Sequence, residues 1–230
     1  MSAGAHEDAL AGVADAHCHV PDGAAACFLC DPCDEAGAPG VLLRFRGVHP
    51  WDAERYDEAA LRRALEEDAH CGVGETGLDR LKTREISAAQ RAAFASQLAL
   101  AAEYSRPMAL HGAKCWGEVV KAAKPWKDRI PGFIFHGFSR STGLVGEIAA
   151  MGGFIAIGPA LLNDHAVNYR ALAKRIPADR VLVESDATAD NAAETPSAEA
   201  VAEFLADLRG VPRPDFFALL DDNAARFAGA

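Results

Sequence analysis

No apolar run in this sequence approaches the ~18 residues that a helix needs to cross a bilayer, so nothing in it reads as a membrane span. Residues 1–8 lack the basic-then-apolar order of an export signal, which makes the cytoplasm the expected compartment. Positive charge is scarce as well. With 23 Lys+Arg against 33 Asp+Glu, the formal net charge is −10, and such a chain repels nucleic acid at long range, unlike a general duplex binder. Phosphodiester chemistry is not excluded, because bound cations can be the largest charges in a site. No internal repeat, linker or low-complexity stretch divides the chain, so residues 1–230 are expected to form one domain, with no obligate protein partner in evidence. Of the six cysteines, Cys27, Cys30 and Cys33 form C-x2-C-x2-C but lack a fourth ligand at zinc-finger spacing. Three reduced thiols are therefore expected, with Cys27 packed on a strand, and a structural metal or cluster is the alternative.

What the sequence does have is a hydrophobic share of 50%, enough for one sizeable core. Short apolar runs alternate with amphipathic stretches from Gly12 to Leu220, the pattern of a parallel sheet with crossover helices. Strands are expected over 13–17, 25–30, 41–48, 71–74, 107–110, 132–135, 154–157 and 181–183. Helices are expected over 53–68, from the capping box at Ser87 to Tyr104, over 114–123, around Leu144 to Met151, after Ser197 and from near Pro214. Eight strands in a chain of this length fit a TIM (β/α)8 barrel, an α/β fold. Too few residues separate the first two strands for a full helix, so the first crossover is shortened.

In such a barrel the side chains at strand C-termini converge on one mouth. Asp15-Ala16-His17-Cys18-His19 ends the first strand, and strand alternation turns His17 and His19 the same way. Glu75 follows the fourth strand, His111 the fifth, His136 the sixth and Asp186 the eighth. Any one of these alone reads as an ordinary hydrogen-bonded or capping residue; placement at the same end of five strands reads as a site. His17, His19, Glu75, His111, His136 and Asp186 exceed what one tetrahedral ion needs, which points to two divalent ions of the Mg²⁺, Mn²⁺ or Zn²⁺ class with Glu75 bridging. Two such ions can stabilise the attacking and leaving oxygens of a phosphoryl displacement, and Asp186 is the candidate proton acceptor. His49 is a candidate phosphate contact or support for a ligand, against a turn histidine before Pro50. Lys114 and Arg140, on loops at the mouth with Asp79, are candidate contacts for an anionic substrate, against solvated surface charges. Trp51 can stack on a base or serve loop packing.

These elements resemble the TatD family of metal-dependent deoxyribonucleases. The resemblance is carried by Asp15-Ala16-His17-Cys18-His19, Gly47-Val48-His49-Pro50, Gly74-Glu75-Thr76-Gly77-Leu78-Asp79, His111, His136-Gly137-Phe138-Ser139, Glu184-Ser185-Asp186 and the closing Asn223-Ala224-Ala225-Arg226-Phe227. It implies a TIM barrel and a two-metal site in which His17, His19 and Asp186 hold one ion, His111 and His136 the other, with Glu75 between. It also implies cleavage of DNA ends or another phosphodiester substrate. The chain departs from the family pattern at Trp51, where a second histidine is common, at Gly137, where a cysteine is usual, and at Ser185, where a threonine is usual. An amidohydrolase-type enzyme opening a C–N or ester bond is the second reading, but relatives of that class bridge their metals with a modified lysine where Glu75 stands here. A non-catalytic metal-stabilised barrel, the third reading, predicts a broken ligand position, and none is found.

Overall fold

The computed structural model of the chain describes residues 12–20, 26–30, 40–82, 84–139 and 141–229. The strands are β1 (Ala14–Cys18), β2 (Ala26–Cys30), β3 (Val41–Arg46), β4 (Cys71–Asp79), β5 (Met108–Ala113), β6 (Phe133–Phe135), β7 (Phe154–Ile157) and β8 (Val181–Val183). They lie in sequence order in one eight-stranded sheet, and every neighbouring pair from β1 to β8 is parallel. The first and last strands meet just past their ends. The Asp186 N–H donates to the His17 carbonyl at 2.9 Å, and the His19 N–H to the Ala187 carbonyl at 2.8 Å. The sheet is thereby brought almost to closure as the expected (β/α)8 barrel. Only residues 19–25 separate β1 from β2, fewer than the dozen or so that a helical crossover takes, as the sequence predicts.

Around the sheet run α1 (Glu58–Glu67), α2 (Ala88–Glu103), α3 (Trp116–Ala123), α4 (Val145–Ala150), α5 (Val167–Ala173), α6 (Ala198–Arg209) and α7 (Arg213–Ala228). The helix expected over 53–68 is in two pieces, a 3-10 stretch Pro50–Arg55 and then α1. Asp57 restarts it, its carboxylate accepting from the N–H groups of Ala59 and Ala60 as an N-cap does. Ser87 caps α2 as predicted, accepting from the Gln90 N–H at 3.1 Å. The Gln90 side chain, however, reaches away from the cap to accept from the Asp79 N–H at 3.0 Å. That contact belongs to the longer course of β4, which was expected to stop at Gly74 and runs on to Asp79, buried throughout. Gly77 has φ +150°, and a Cβ there would lie 2.0 Å from the His111 carbonyl oxygen; only glycine lets β4 and β5 pair this closely. α3 starts two residues later than expected, because Lys114 takes a left-handed φ of 57°.

Strand alternation places the site. Ala109, Ile134 and Leu182 pack in one buried cluster with Phe28, Phe45 and Phe227, which fills the inside of the cylinder. Two residues on from each of those three stand His111, His136 and Glu184, on the same inward face and one step nearer the mouth. The opposite end is stoppered by α7, whose Phe227 ring lies 5.5 Å from Phe28, 6.2 Å from Phe45 and 5.8 Å from Phe154, centroid to centroid. Outward-facing residues such as Val73, Phe133 and Ile155 pack in a second cluster with Leu98, Val119 and Leu205 of the helices. Apart from β3, whose Leu42 is exposed, the strands are therefore buried on both faces, as all-parallel sheets require.

Candidate active site

The six expected ligands, brought from five strand ends, meet at one place. Glu75 lies at the centre. Its Oε2 is 3.3 Å from His17 Nε2 and 3.6 Å from His19 Nε2. Its Oε1 is 2.7 Å from His111 Nδ1 and 2.8 Å from His136 Nε2. Asp186 Oδ1 stands 3.6 Å from His17 Nε2 and 3.7 Å from His19 Nε2. His49 joins them, its Nε2 3.5 Å from Glu75 Oε1. Three overlapping groups have ligand atoms within 4.8 Å of one another: His17, His19 and Asp186; His17, Glu75 and His136; and His49, Glu75 and His111.

These residues fit a divalent cation. His17 Nε2 is fully buried and makes no hydrogen bond, although two carboxylates face it, and a buried polar atom left so is costly unless something else engages it. The donors are imidazole nitrogens and carboxylate oxygens, which suit Zn²⁺, Mn²⁺ or Mg²⁺.

The groups behind the ligands fix how each ring is presented. Asp79 Oδ2 sits 3.0 Å from His111 Nε2, while His111 Nδ1 is turned to Glu75. The same oxygen accepts from the Trp51 indole N–H at 2.8 Å. Glu184, almost fully buried, accepts from the Gly137 N–H at 2.7 Å and lies 3.6 Å from His136 Nδ1. Cys30 Sγ is 3.3 Å from His17 Nδ1, and the His17 and His136 rings stack at 3.8 Å. Asp15 links the strand bearing His17 to the segment bearing Asp186. It is fully buried and accepts from the His17 N–H, the Ser185 N–H and the Ser185 hydroxyl, tying β1 to the segment after β8. Asp186 has a left-handed φ of 56°, a conformation aspartate tolerates better than most residues.

Charge within the cluster is strongly coupled. Burial works to raise the Glu75 pKa, yet the His136 and His17 imidazoles and the hydrogen bonds from His111 and His136 hold it well below the usual carboxylate range. Burial likewise opposes the His136 cation, but the Glu75 and Glu184 carboxylates hold its pKa well above the usual value. For Asp186, burial acts upward and is outweighed by a hydrogen bond from His19 and by the charges of His136 and His17, so it stays low. His49 is pushed down to about 4, first by burial and further by His111 and His136, against the pull of Glu75. Its Nδ1 accepts from the Trp51 N–H at 3.2 Å, so the neutral ring carries its proton on Nε2, the nitrogen turned to Glu75 and His111.

A cavity of about 670 Å³ opens beside the cluster, lined by His111, His136 and Asp186 together with Arg80, Lys114 and Ser139. Lys114, an expected anion contact, is exposed there. Arg140 and Cys33 lie outside the described residues; Cys27 and Cys30 are buried on β2. Asp79, taken from sequence as a charge on a mouth loop, is instead fully buried. Its signal was available, since Glu75, Gly77 and Asp79 alternate at period two once β4 is carried past Gly74. Glu184 alternates with Asp186 in the same way. Gln97 had no such signal. This buried side chain of α2 accepts from the Val48 N–H at 2.8 Å and donates to the Val48 carbonyl at 3.2 Å, clamping the residue before His49.

Comparison with known proteins bears on this geometry. A family described as TatD related DNase matches residues 34–229. The chain is 37% identical over 153 residues to the 3'-5' ssDNA/RNA exonuclease TatD of Edwardsiella piscicida, a match covering 65% of this chain and 59% of the relative. It is 36% identical over 145 residues to the protein of the same name from Klebsiella pneumoniae (strain 342), covering 61% and 55%. These matches thus span less than two thirds of the relatives' own length. Among solved structures, YjjV, a TatD homologue from Escherichia coli K12, superposes with a TM-score of 0.79 at 21% identity, covering 95% of this chain and 98% of that one. A TatD family hydrolase from Entamoeba histolytica superposes with a TM-score of 0.77 at 12% identity, covering 95% and 99%. At those identities the likeness is one of fold.

Proposed function

The chain belongs to the family of TatD-related DNases, a family of metal-dependent hydrolases, and from that premise we propose that its mouth hydrolyses phosphodiester bonds at the ends of single-stranded nucleic acid. The observation that carries this reading is the position of Glu75, whose two oxygens face different pairs of imidazoles. In the proposed arrangement His17, His19, Glu75 and Asp186 would hold one divalent cation, and Glu75, His111 and His136 a second. Such cations supply the positive charge that polarises a phosphodiester and activates water for attack.

The chain's own residues do the rest. Asp186, unprotonated at neutral pH because its pKa is held low, accepts the proton of the attacking water. Its side chain is 51% exposed, so that proton has a path to solvent. His49, neutral and with its proton on Nε2, donates a hydrogen bond to a non-bridging phosphate oxygen. Asp79 and Glu184 keep His111 and His136 in the tautomers that turn the ligating nitrogens inward. Lys114 meets the phosphate of the neighbouring nucleotide, where a cation offsets a net charge of −10 that would otherwise repel the strand.

The test is release of labelled nucleotides from single-stranded DNA in Mg²⁺ or Mn²⁺ by the wild-type chain and by Glu75→Ala. Metal-dependent release by the wild type, falling by at least a hundredfold in the variant, is expected. If DNA is left intact while a simple ester or amide is turned over, the amidohydrolase-type reading replaces this one.

A further inference from the structure

Trp51 has no part in the proposed chemistry, yet its setting is specific. Its side chain is half open to solvent, at 51% exposure, and Leu81, 61% exposed, stands close in the sequence to Asp79, its anchor. A tryptophan retained only for packing would bury most of its ring. Trp51 is also held in place. Its indole N–H donates to Asp79, the carboxylate that orients His111, and its ring meets that of His49 edge-on at 4.6 Å. The exposed ring is thus one residue removed from a candidate metal ligand and in contact with the residue that faces the phosphate. The Lys82 ammonium sits over one face of the ring, 4.4 Å from its centroid, on a flexible stem that leaves it free to move off that face toward an anion.

We propose that Trp51 is the platform on which the terminal nucleobase of a single-stranded substrate stacks, with Lys82 pairing with the phosphate beside it. Flat, exposed and apolar, the indole accepts any of the bases, since each has a π-face. A paired base is stacked within its duplex and cannot reach the ring, so the platform selects unpaired ends. Anchoring by Asp79 sets the distance between the stacked base and the cluster, which makes Trp51 a specificity-determining residue rather than a general sticky patch. The inference deepens the nuclease reading and rests on it.

Two measurements test it. In the first, intrinsic fluorescence is followed while a short oligothymidylate with phosphorothioate linkages is added to the full chain in Mg²⁺. Quenching is expected in the wild type and lost in Trp51→Phe, because Trp116 is buried and the half-buried Trp126 follows the C-terminus of α3, at the end of the barrel away from the strand C-termini. Quenching that persists in the variant, or is absent from the wild type, overturns the proposal. In the second, kcat/KM is compared on oligonucleotides with a normal and an abasic terminal residue. The wild type should lose about tenfold on the abasic end, the size of one base–aromatic stack, while Trp51→Ala should be slow on the normal end and indifferent to loss of the base. Equal losses in both proteins overturn the proposal. Failure of the wild type to cut either oligonucleotide overturns the nuclease reading itself, and quenching then still reports whether Trp51 meets a base.

Discussion

In the proposed metal site the surrounding carboxylates favour the protonated form of His136, so a metal ion would have to displace a proton from it. Its Nε2 faces Glu75 at 2.8 Å, and Glu184 stands behind Nδ1; these two carboxylates raise its pKa although burial opposes the charged form. Ligation needs the neutral nitrogen. The sign follows directly: below the raised pKa, cation binding must expel a proton, so affinity falls as pH falls. Isothermal titration with Mn²⁺ should show affinity dropping by up to about tenfold per pH unit for each proton expelled, with a heat that varies with the ionisation enthalpy of the buffer. A buffer-independent heat and a flat affinity between pH 8 and 6 would show that no protonated ligand is involved. The residues of the cluster were legible from sequence, because each is a histidine or acid at the end of an apolar run. Their supports were less so. Cys30 reads as part of a cysteine cluster until β2 is placed beside β1.

At the scale of elements, α2 does more than cover the sheet. Its buried Gln97 takes the place of a strand partner for Val48, and its buried Gln90 does the same for the Asp79 N–H. Gln97→Leu keeps the apolar contacts and leaves the Val48 N–H and carbonyl unpaired. An unsatisfied buried group costs about 1–3 kcal/mol, so urea denaturation should show a loss of that order. KM should rise more than kcat falls, because His49 loses its footing while the metal ligands stay in place. An unchanged midpoint would mean that solvent replaces the glutamine at no cost. Neither contact follows from helical periodicity, which marks both glutamines only as interruptions of an alanine-rich helix. The strand ends differ from expectation for a related reason. The apolar run in β4 stops at Gly74, but pairing with β5 continues through Asp79, and hydrogen bonds to a neighbouring strand are invisible in composition.

The barrel as a whole is closed by contacts between the chain's two ends. α7 lies against β1, where Asp221 receives a backbone hydrogen bond from Ala14 and leaves Oδ1 buried without a partner. Burial raises the Asp221 pKa to about 6, against the Ala14 hydrogen bond and with a small push from Asp222. The native state therefore favours the protonated acid, and stability declines as pH rises from about 4 through 6 and stays lower above it. Asp221→Asn mimics the protonated form. It should stabilise the protein at pH 8 by about 1 kcal/mol once solvent screening is allowed for, with the gain shrinking toward pH 4; denaturation at both pH values checks this.

By itself the sequence determined the order of the strands, every helix but α5, the barrel class and the six residues at the strand ends, because alternation of apolar runs and residue chemistry are local properties. Only the tertiary structure decided which atoms those residues turn toward one another, that Asp79 and Glu184 stand behind the imidazoles, and that Trp51 is anchored yet open to solvent. Those facts depend on strand register and on contacts between segments distant in the chain, which no local pattern encodes.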